Sequence, residues 1–150
     1  NVDSSSLEDE TDNQYDLITM FDVLEHLADP VSVFNTLNSK LKSGGYCVAY
    51  TPNVRSVGYE LMGAKQNTML PFEHLCFFDK KSLDYLASMT GFEVELVETY
   101  GLDVMDYLLM KEYEDGVNYT DSLSDMTSLL QSILDKFNIS NHFRITFKKK

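Results

Sequence analysis

The sequence has little positive charge, and this shortage excludes two classes of partner. Its 150 residues include 12 lysines and arginines against 24 acidic residues, which gives a formal net charge of -12. A chain this negative repels phosphate backbones and anionic lipids, so neither nucleic acid nor a membrane surface is expected as a partner. The one basic run, Lys148 to Lys150, is too short to change that expectation.

Long apolar runs and a disulfide framework are also missing. No stretch approaches the roughly 20 residues that span a bilayer, and no signal peptide is recognisable. The two cysteines, Cys47 and Cys76, lie far apart in apolar segments, which favours buried thiols in a reducing compartment over a disulfide. We therefore expect a cytoplasmic protein.

The chain does contain enough apolar sequence for one domain, with 43% hydrophobic residues. The run Tyr15 to Phe21, "YDLITMF", predicts a strand buried on both faces. A helix should follow, with Asp29 as N-cap, Pro30 at its first position and Gly44 at its end. A second buried strand then runs from Tyr46 to Pro52. Strand, helix and strand with short links predict the βαβ unit of a parallel sheet.

The second half of the chain repeats this pattern and then becomes helical. Asp79 and Gly91 should bound a helix, and Phe92 to Tyr100 should form a strand. Residues 101–137 predict amphipathic helices, whose apolar stripe we interpret as a packing face. That stripe consists of Leu123, Met126, Leu130, Ile133 and Phe137. The strict alternation in "HFRITFKKK" predicts a last strand that is either antiparallel or at an edge of the sheet.

Several of these segments, taken in order, resemble the second half of class I S-adenosylmethionine-dependent methyltransferases. The matching segments are "YDLITMFDVLEHLADP", "LKSGG" before the second strand and "HLCFFDKKSLDYLASMTGF" before the third. They are most similar to the subgroup that contains the ubiquinone-biosynthesis O-methyltransferases. The resemblance implies an α/β fold, the later half of a Rossmann-like sheet with strands four to seven and an antiparallel last strand. Residues 101–141 would be a helical insertion or cap.

Two cofactor-binding features of that family are absent from these 150 residues: the glycine-rich loop and the acidic residue that holds the ribose. Glycine is needed in such a loop because only glycine lets the backbone approach the ligand closely. We expect a C-terminal portion of a larger enzyme, inactive alone, with residues 1–14 as an entering loop and 15–150 as the domain. Its exposed sheet edge would need the missing half, or a second copy in a homodimer.

The resemblance implies S-adenosylmethionine as methyl donor and a small molecule as acceptor, and it suggests residues for both. Asp3 would contact the adenine, and Phe21 and Asp22 would lie beside the sulfonium end of the donor, at the carboxyl end of a strand. The candidate contacts to the acceptor are Asn53, His74 and Tyr100.

The segment "FDVLEHL" brings Asp22, Glu25 and His26 close together in sequence. If a helical turn begins near Asp22, the three side chains share one face and the apolar residues between them share the other. His26, assisted by Glu25, would then suit a general base for a hydroxyl acceptor. Alternatively, the three residues would hold a divalent cation such as Mg²⁺. A solvent-facing helix surface is the third interpretation.

Methyl transfer to a small molecule is therefore the leading hypothesis for the function. The alternative is a non-catalytic methyltransferase-like domain that serves as an assembly or regulatory partner. A third hypothesis, that the chain is half of a nicotinamide-dependent dehydrogenase, agrees less well with the sequence, because no residues indicate a site for hydride transfer.

Overall fold

The computed structural model describes residues 6–150 and contains one four-stranded sheet. Its strands are β1 (Tyr15–Phe21), β2 (Leu41–Pro52), β3 (Phe92–Tyr100) and β4 (His142–Lys149). Their order across the sheet is β1-β2-β4-β3, with β1 and β2 parallel and β4 antiparallel to both of its neighbours. The predicted α/β fold with an antiparallel last strand is confirmed. The edge-strand alternative is wrong, because β4 lies inside the sheet.

Helices connect the strands and fill the segment before β4. They are α1 (Pro30–Lys40), α2 (Val57–Met62), α3 (Lys80–Met89), α4 (Asp103–Asp115), α5 (Tyr119–Ser122) and α6 (Ser124–Lys136). The predicted caps are present: Asp29 accepts a hydrogen bond from the Ser32 backbone, and Asp79 forms a capping box with Ser82. None of the helices in the described residues is long and apolar enough to cross a membrane.

The end of α1 differs from the prediction. The helix ends at Lys40, and β2 begins at the next residue. Gly44 lies within β2 at a φ of +73°, in a stretch where several β2 residues are inserted opposite Asp16 of β1. Glycine adopts a positive φ without a steric penalty, so Gly44 permits an irregularity in the strand and does not end the helix.

One face of the sheet is covered by α1 and α3 and forms the core. The fully buried ring of Phe34 on α1 makes edge-on contacts with Phe92 and Phe147, at centroid distances of 5.7 and 5.0 Å. The alternation predicted for β4 is confirmed, since its buried side chains are Phe143, Ile145 and Phe147. Aromatic contacts between α1, β3 and β4 therefore fix the helix on the sheet.

The opposite face of the sheet exposes large apolar side chains. Leu17 and Phe21 of β1 are 53% and 57% exposed, and Leu96 of β3 is 50% exposed. Within the described residues β1 pairs only with β2, so it is an edge strand. The prediction that β1 is buried on both faces is wrong for this chain, and the predicted exposed apolar edge is present.

The apolar stripe of α6 is not the packing face that the sequence predicts. Its five side chains, Leu123, Met126, Leu130, Ile133 and Phe137, are between 38% and 66% exposed. Instead, α6 is held by the amide of Gln131, which donates hydrogen bonds to Asp103 at 3.3 Å and to Ser140 at 3.2 Å. Part of the stripe lines a cavity of about 430 Å³ between α2, α4 and α6.

Both cysteines are free thiols, as expected for a chain without a disulfide framework. Cys47 is buried in the core, and burial raises the pKa of its thiol to about 12. Cys76 is half-buried, and burial raises its thiol pKa as well. Neither thiol is therefore activated as a nucleophile at neutral pH, since the thiolate is the reactive form.

Replacing Phe34 with alanine should lower the free energy of unfolding by about 3–5 kcal/mol, because the change leaves a cavity between α1 and the sheet. Urea denaturation followed by circular dichroism measures this difference. Phe72, which is 99% exposed, offers a matched control, and its replacement with alanine should change stability by less than about 0.5 kcal/mol. Equal effects of the two substitutions would contradict the central position of Phe34.

Candidate active site

The carboxyl ends of three strands and the start of the fourth lie at one edge of the sheet. Phe21, which ends β1, pairs with Tyr50 near the end of β2. Pro52 at the end of β2 and Tyr100 at the end of β3 both pair with His142, the first residue of β4. Ligands of α/β sheets bind outside the carboxyl ends of the strands, so this edge is the candidate site.

Asp22 turns the chain away from β1 at this edge. Its φ is +53°, and its backbone N–H donates a hydrogen bond to the carbonyl of Tyr50 at 3.1 Å. A single 3₁₀ turn, Leu24–His26, begins two residues later. The predicted helical face shared by Asp22, Glu25 and His26 is therefore wrong: the side chain of Asp22 is exposed, whereas that of Glu25 is buried.

Glu25 is a buried carboxylate that is fixed against β2. Its side chain is 2% exposed, and its Oε2 accepts a hydrogen bond of 2.9 Å from the buried hydroxyl of Thr51. Its backbone carbonyl accepts hydrogen bonds from the N–H groups of Leu75 and Cys76, at 2.8 and 2.9 Å. A buried carboxylate stays charged only when hydrogen bonds or a cation compensate it. The same contacts bring the loop that carries His74 to this turn.

Two imidazoles lie together beside Glu25. The rings of His26 and His74 meet edge-on with their centroids 4.9 Å apart. Nδ1 of His26 lies 2.8 Å from the carbonyl of Glu73, and Nδ1 of His74 lies 2.9 Å from the carbonyl of Thr68. A carbonyl only accepts, so each Nδ1 carries a proton, and in the neutral form of each ring Nε2 is then bare.

Glu25, His26 and His74 can together hold a metal ion, since one ligand atom from each lies within 4.8 Å of the others. Metal-binding histidines usually donate their second ring N–H to a carbonyl or carboxylate, as both rings do here. Among the described residues this group contains His74 and not Asp22, and a metal site formed by Asp22, Glu25 and His26 stays a prediction. Two imidazoles and one carboxylate suit Zn²⁺ or a similar transition metal better than Mg²⁺, which prefers oxygen ligands.

Tyr50 and His142 also lie at this edge, although no sequence motif marks them. Their rings are stacked with centroids 4.8 Å apart and planes within 5° of parallel. Burial lowers the pKa of His142, although the carboxylates of Asp22 and Glu25 oppose that shift. Burial also raises the pKa of Tyr50. The signal that could have found His142 is its position at the start of an antiparallel strand, which must begin where the parallel strands end.

Asn53, a predicted acceptor contact, is 4% exposed and already bonded within the protein. Its Nδ2 donates to the carbonyl of Ser140 at 3.0 Å, and its Oδ1 accepts from the backbone of Arg55 at 2.9 Å. Nδ2 thus joins the loop after β2 to the residue that precedes Asn141 and β4, whereas Oδ1 bonds within the loop itself. A contact with the acceptor stays a prediction for this residue.

The remaining predicted residues lie apart from the cluster or outside the described chain. Tyr100 is on the exposed face of the sheet, where its hydroxyl donates to Glu98 at 3.2 Å and accepts from Arg144 at 2.8 Å. Asp3, the predicted adenine contact, lies outside the described residues 6–150. Both roles stay predictions.

A family model described as "Methyltransferase domain" matches residues 1–97, which is more than half of the sequence. The chain belongs to this methyltransferase family. No curated protein matches the chain. The match includes β1, the Glu25 and His26 turn, β2 and most of β3, so the candidate site lies largely within the family's own sequence pattern.

Solved structures share the fold at low sequence identity. A methyltransferase from Thermotoga maritima, described as SAM-dependent and as a "possible histamine N-methyltransferase", has a TM-score of 0.62 and 19% identity over 97% of this chain and 62% of its own. A SAM-dependent methyltransferase from Archaeoglobus fulgidus has a TM-score of 0.57 and 21% identity over 95% of this chain and 63% of its own.

A third structure is a phosphoethanolamine N-methyltransferase from Haemonchus contortus, in complex with S-adenosylmethionine. Its TM-score is 0.51 and its identity 20%, over 93% of this chain and 34% of its own. The chain thus spans less than two thirds of the length of these three proteins. They establish the predicted Rossmann-like methyltransferase fold, whereas the similarity to the ubiquinone-biosynthesis subgroup stays a prediction.

Proposed function

We propose that this chain forms the acceptor side of an S-adenosylmethionine-dependent methyltransferase that acts on a small molecule. The observation that carries the proposal is the cluster of Glu25, His26 and His74 at the ligand-binding edge of a chain from this family. The three similar structures are all described as methyltransferases, and the one with bound S-adenosylmethionine supports that donor. No observation favours the non-catalytic alternative.

Phe21 and Asp22 are the residues that we assign to the donor end of the site. Phe21 is the last residue of β1 and Asp22 follows it, and the side chains of both are exposed at the edge where ligands bind. A sulfonium cation is attracted by an aromatic face and by a carboxylate. S-adenosylmethionine supplies the electrophilic methyl group when it is bound, so the protein's contribution is to orient the acceptor, exclude water and remove a proton.

Glu25, His26 and His74 are the residues that we assign to the acceptor end. The bare Nε2 atoms of the two imidazoles are able to take a proton or to bind a cation. A divalent cation in this group would stabilise the anion of a hydroxyl acceptor. The side chains are ready for either role, because Thr51 fixes the carboxylate and backbone carbonyls fix both rings.

Replacing His26 with glutamine in the full-length protein should lower turnover by about 10²-fold or more, because the amide neither accepts a proton nor matches an imidazole as ligand. Release of S-adenosylhomocysteine with a fixed panel of small amines and phenols measures turnover. Asn35, an exposed residue of α1, provides the control, and its alanine variant should keep the wild-type rate. Equal rates for the two variants would contradict an active-site role for His26.

Metal binding distinguishes two sets of ligands. One consists of Glu25, His26 and His74, which lie together in the structure. The other, predicted from the sequence, has Asp22 in place of His74. After treatment with a chelator, the protein should bind one Zn²⁺ per chain more tightly than Mg²⁺ in calorimetric titrations. Replacing His74 with alanine should weaken Zn²⁺ binding by roughly tenfold or more, and replacing exposed His26 checks the same set where the His74 variant folds poorly. Asp22→Asn is the matched control and should leave the affinity unchanged. Loss of binding in Asp22→Asn alone would restore the set that the sequence predicts.

A further inference from the structure

A small pocket of about 120 Å³ opens at the same edge of the sheet. It is lined by Tyr50, Asn67, Gly101, Leu102, Asp106, Asn141 and His142. The carboxylate of Asp106 is the one formal charge among these lining residues. A pocket without a cationic side chain does not attract an anionic acceptor, and this observation limits the chemistry that it serves.

A chain of hydrogen bonds in this pocket runs from a carboxylate to an imidazole. Nδ2 of Asn141 donates to Asp106 Oδ2 at 3.2 Å, and Oδ1 of Asn141 lies 2.9 Å from Nδ1 of His142. An amide NH₂ group only donates and its oxygen only accepts, so Asp106 determines which end of the amide faces His142. His142 therefore carries its proton on Nδ1 and presents a bare Nε2.

The middle member of this chain, Asn141, is held rigidly. It is 2% exposed, its backbone N–H donates to Asp103 at 2.9 Å, and its carbonyl accepts from the backbone of Asn53 at 2.8 Å. Gly101 packs so closely against it that an added Cβ would collide with the Asn141 oxygen. The orientation of the amide is thus built into the fold, as a positioning group for a base requires.

The surroundings of His142 favour a neutral ring that becomes charged only during reaction. Burial lowers its pKa, and the stacked ring of Tyr50 covers one of its faces. The charged and titratable groups that act on it are the carboxylates Asp22, Glu25 and Asp103, which raise the pKa, and His74, which lowers it. A base that is neutral at rest and has carboxylates nearby is able to accept a proton and to be stabilised as a cation.

We propose that Nε2 of His142 is the general base for the methylated atom, which leaves His26 and His74 to bind a cation or the acceptor, with Asn141 and Asp106 as positioning residues; this inference rests on the proposed methyltransferase function. As the acceptor's N–H or O–H proton moves to Nε2, the lone pair that remains forms the bond to the methyl carbon. The electron pair of the broken carbon–sulfur bond stays on sulfur, and His142 becomes an imidazolium. The acceptor class is an ammonium or a hydroxyl, since a carboxylate has no proton to lose.

The tautomer of His142 tests this arrangement without any ligand. The sequence holds three histidines, so long-range ¹H–¹⁵N NMR of the imidazoles resolves each one in metal-free protein at pH 7.5, with His→Gln variants for assignment. We expect the Nδ1–H form with a bare Nε2 for His142. Asn141→Ala, or the more conservative Asp106→Asn if the former misfolds, should mix the two tautomers. The control Asn35→Ala should leave His142 unchanged. The Nε2–H form of His142 in the wild type would overturn the proposal, and so would an unchanged tautomer in both Asn141→Ala and Asp106→Asn.

Turnover tests the role as base. In the full-length protein, with ethanolamine and catechol as probe acceptors, His142→Gln should lower kcat about 10²-fold or more and remove the limb of the pH profile that reports the base. Binding of S-adenosylhomocysteine should not change. An unchanged kcat would overturn the proposal. Absence of S-adenosylhomocysteine binding in the wild type would instead contradict the proposed function, and the tautomer result would still decide for or against the hydrogen-bonded arrangement.

Discussion

The insertion of β4 between β2 and β3, antiparallel to both, is the constraint on which the site depends. Parallel strands end at one edge of a sheet, and only a reversed strand can begin there. This reversal brings His142 against Tyr50 and within electrostatic reach of Asp22. The apolar face of β4 maintains the arrangement, because the ring of Phe147 packs against Phe34 in the core. The arrangement of side chains at the edge is therefore a consequence of packing in the core.

The parts of the fold that local chemistry decides are predictable from the sequence. Asp29 and Asp79 begin their helices because their carboxylates satisfy free backbone N–H groups, which depends on a few neighbouring residues. The end of α1 and the exposure of the α6 stripe are not predictable in this way. Gly44 resembles a helix stop in sequence but is used inside a strand, and α6 is held by the polar contacts of Gln131. Both depend on segments that are distant in sequence.

The candidate site also combines residues that a local sequence pattern finds with residues that only long-range contacts bring in. Glu25 and His26 are neighbours in sequence, so a pattern finds them. His74 joins them only because the carbonyl of Glu25 holds the following loop, a contact that no local pattern indicates. His142 has no motif at all and becomes a candidate through the topology of β4. Long-range contacts thus determine which histidines lie together, whereas the sequence predicts His26 and His74 only for separate roles and does not mark His142.

Methyl transfer at the carboxyl edge of the sheet is tested most directly by a crystal structure of the protein with bound S-adenosylhomocysteine. We expect its sulfur atom to lie beside Phe21 and Asp22, with Nε2 of His142 facing the space into which a methyl group would point. A sulfur atom located elsewhere, in the apolar cavity between α2, α4 and α6 or at the amino ends of the strands, would contradict the assignment of this edge as the site of reaction.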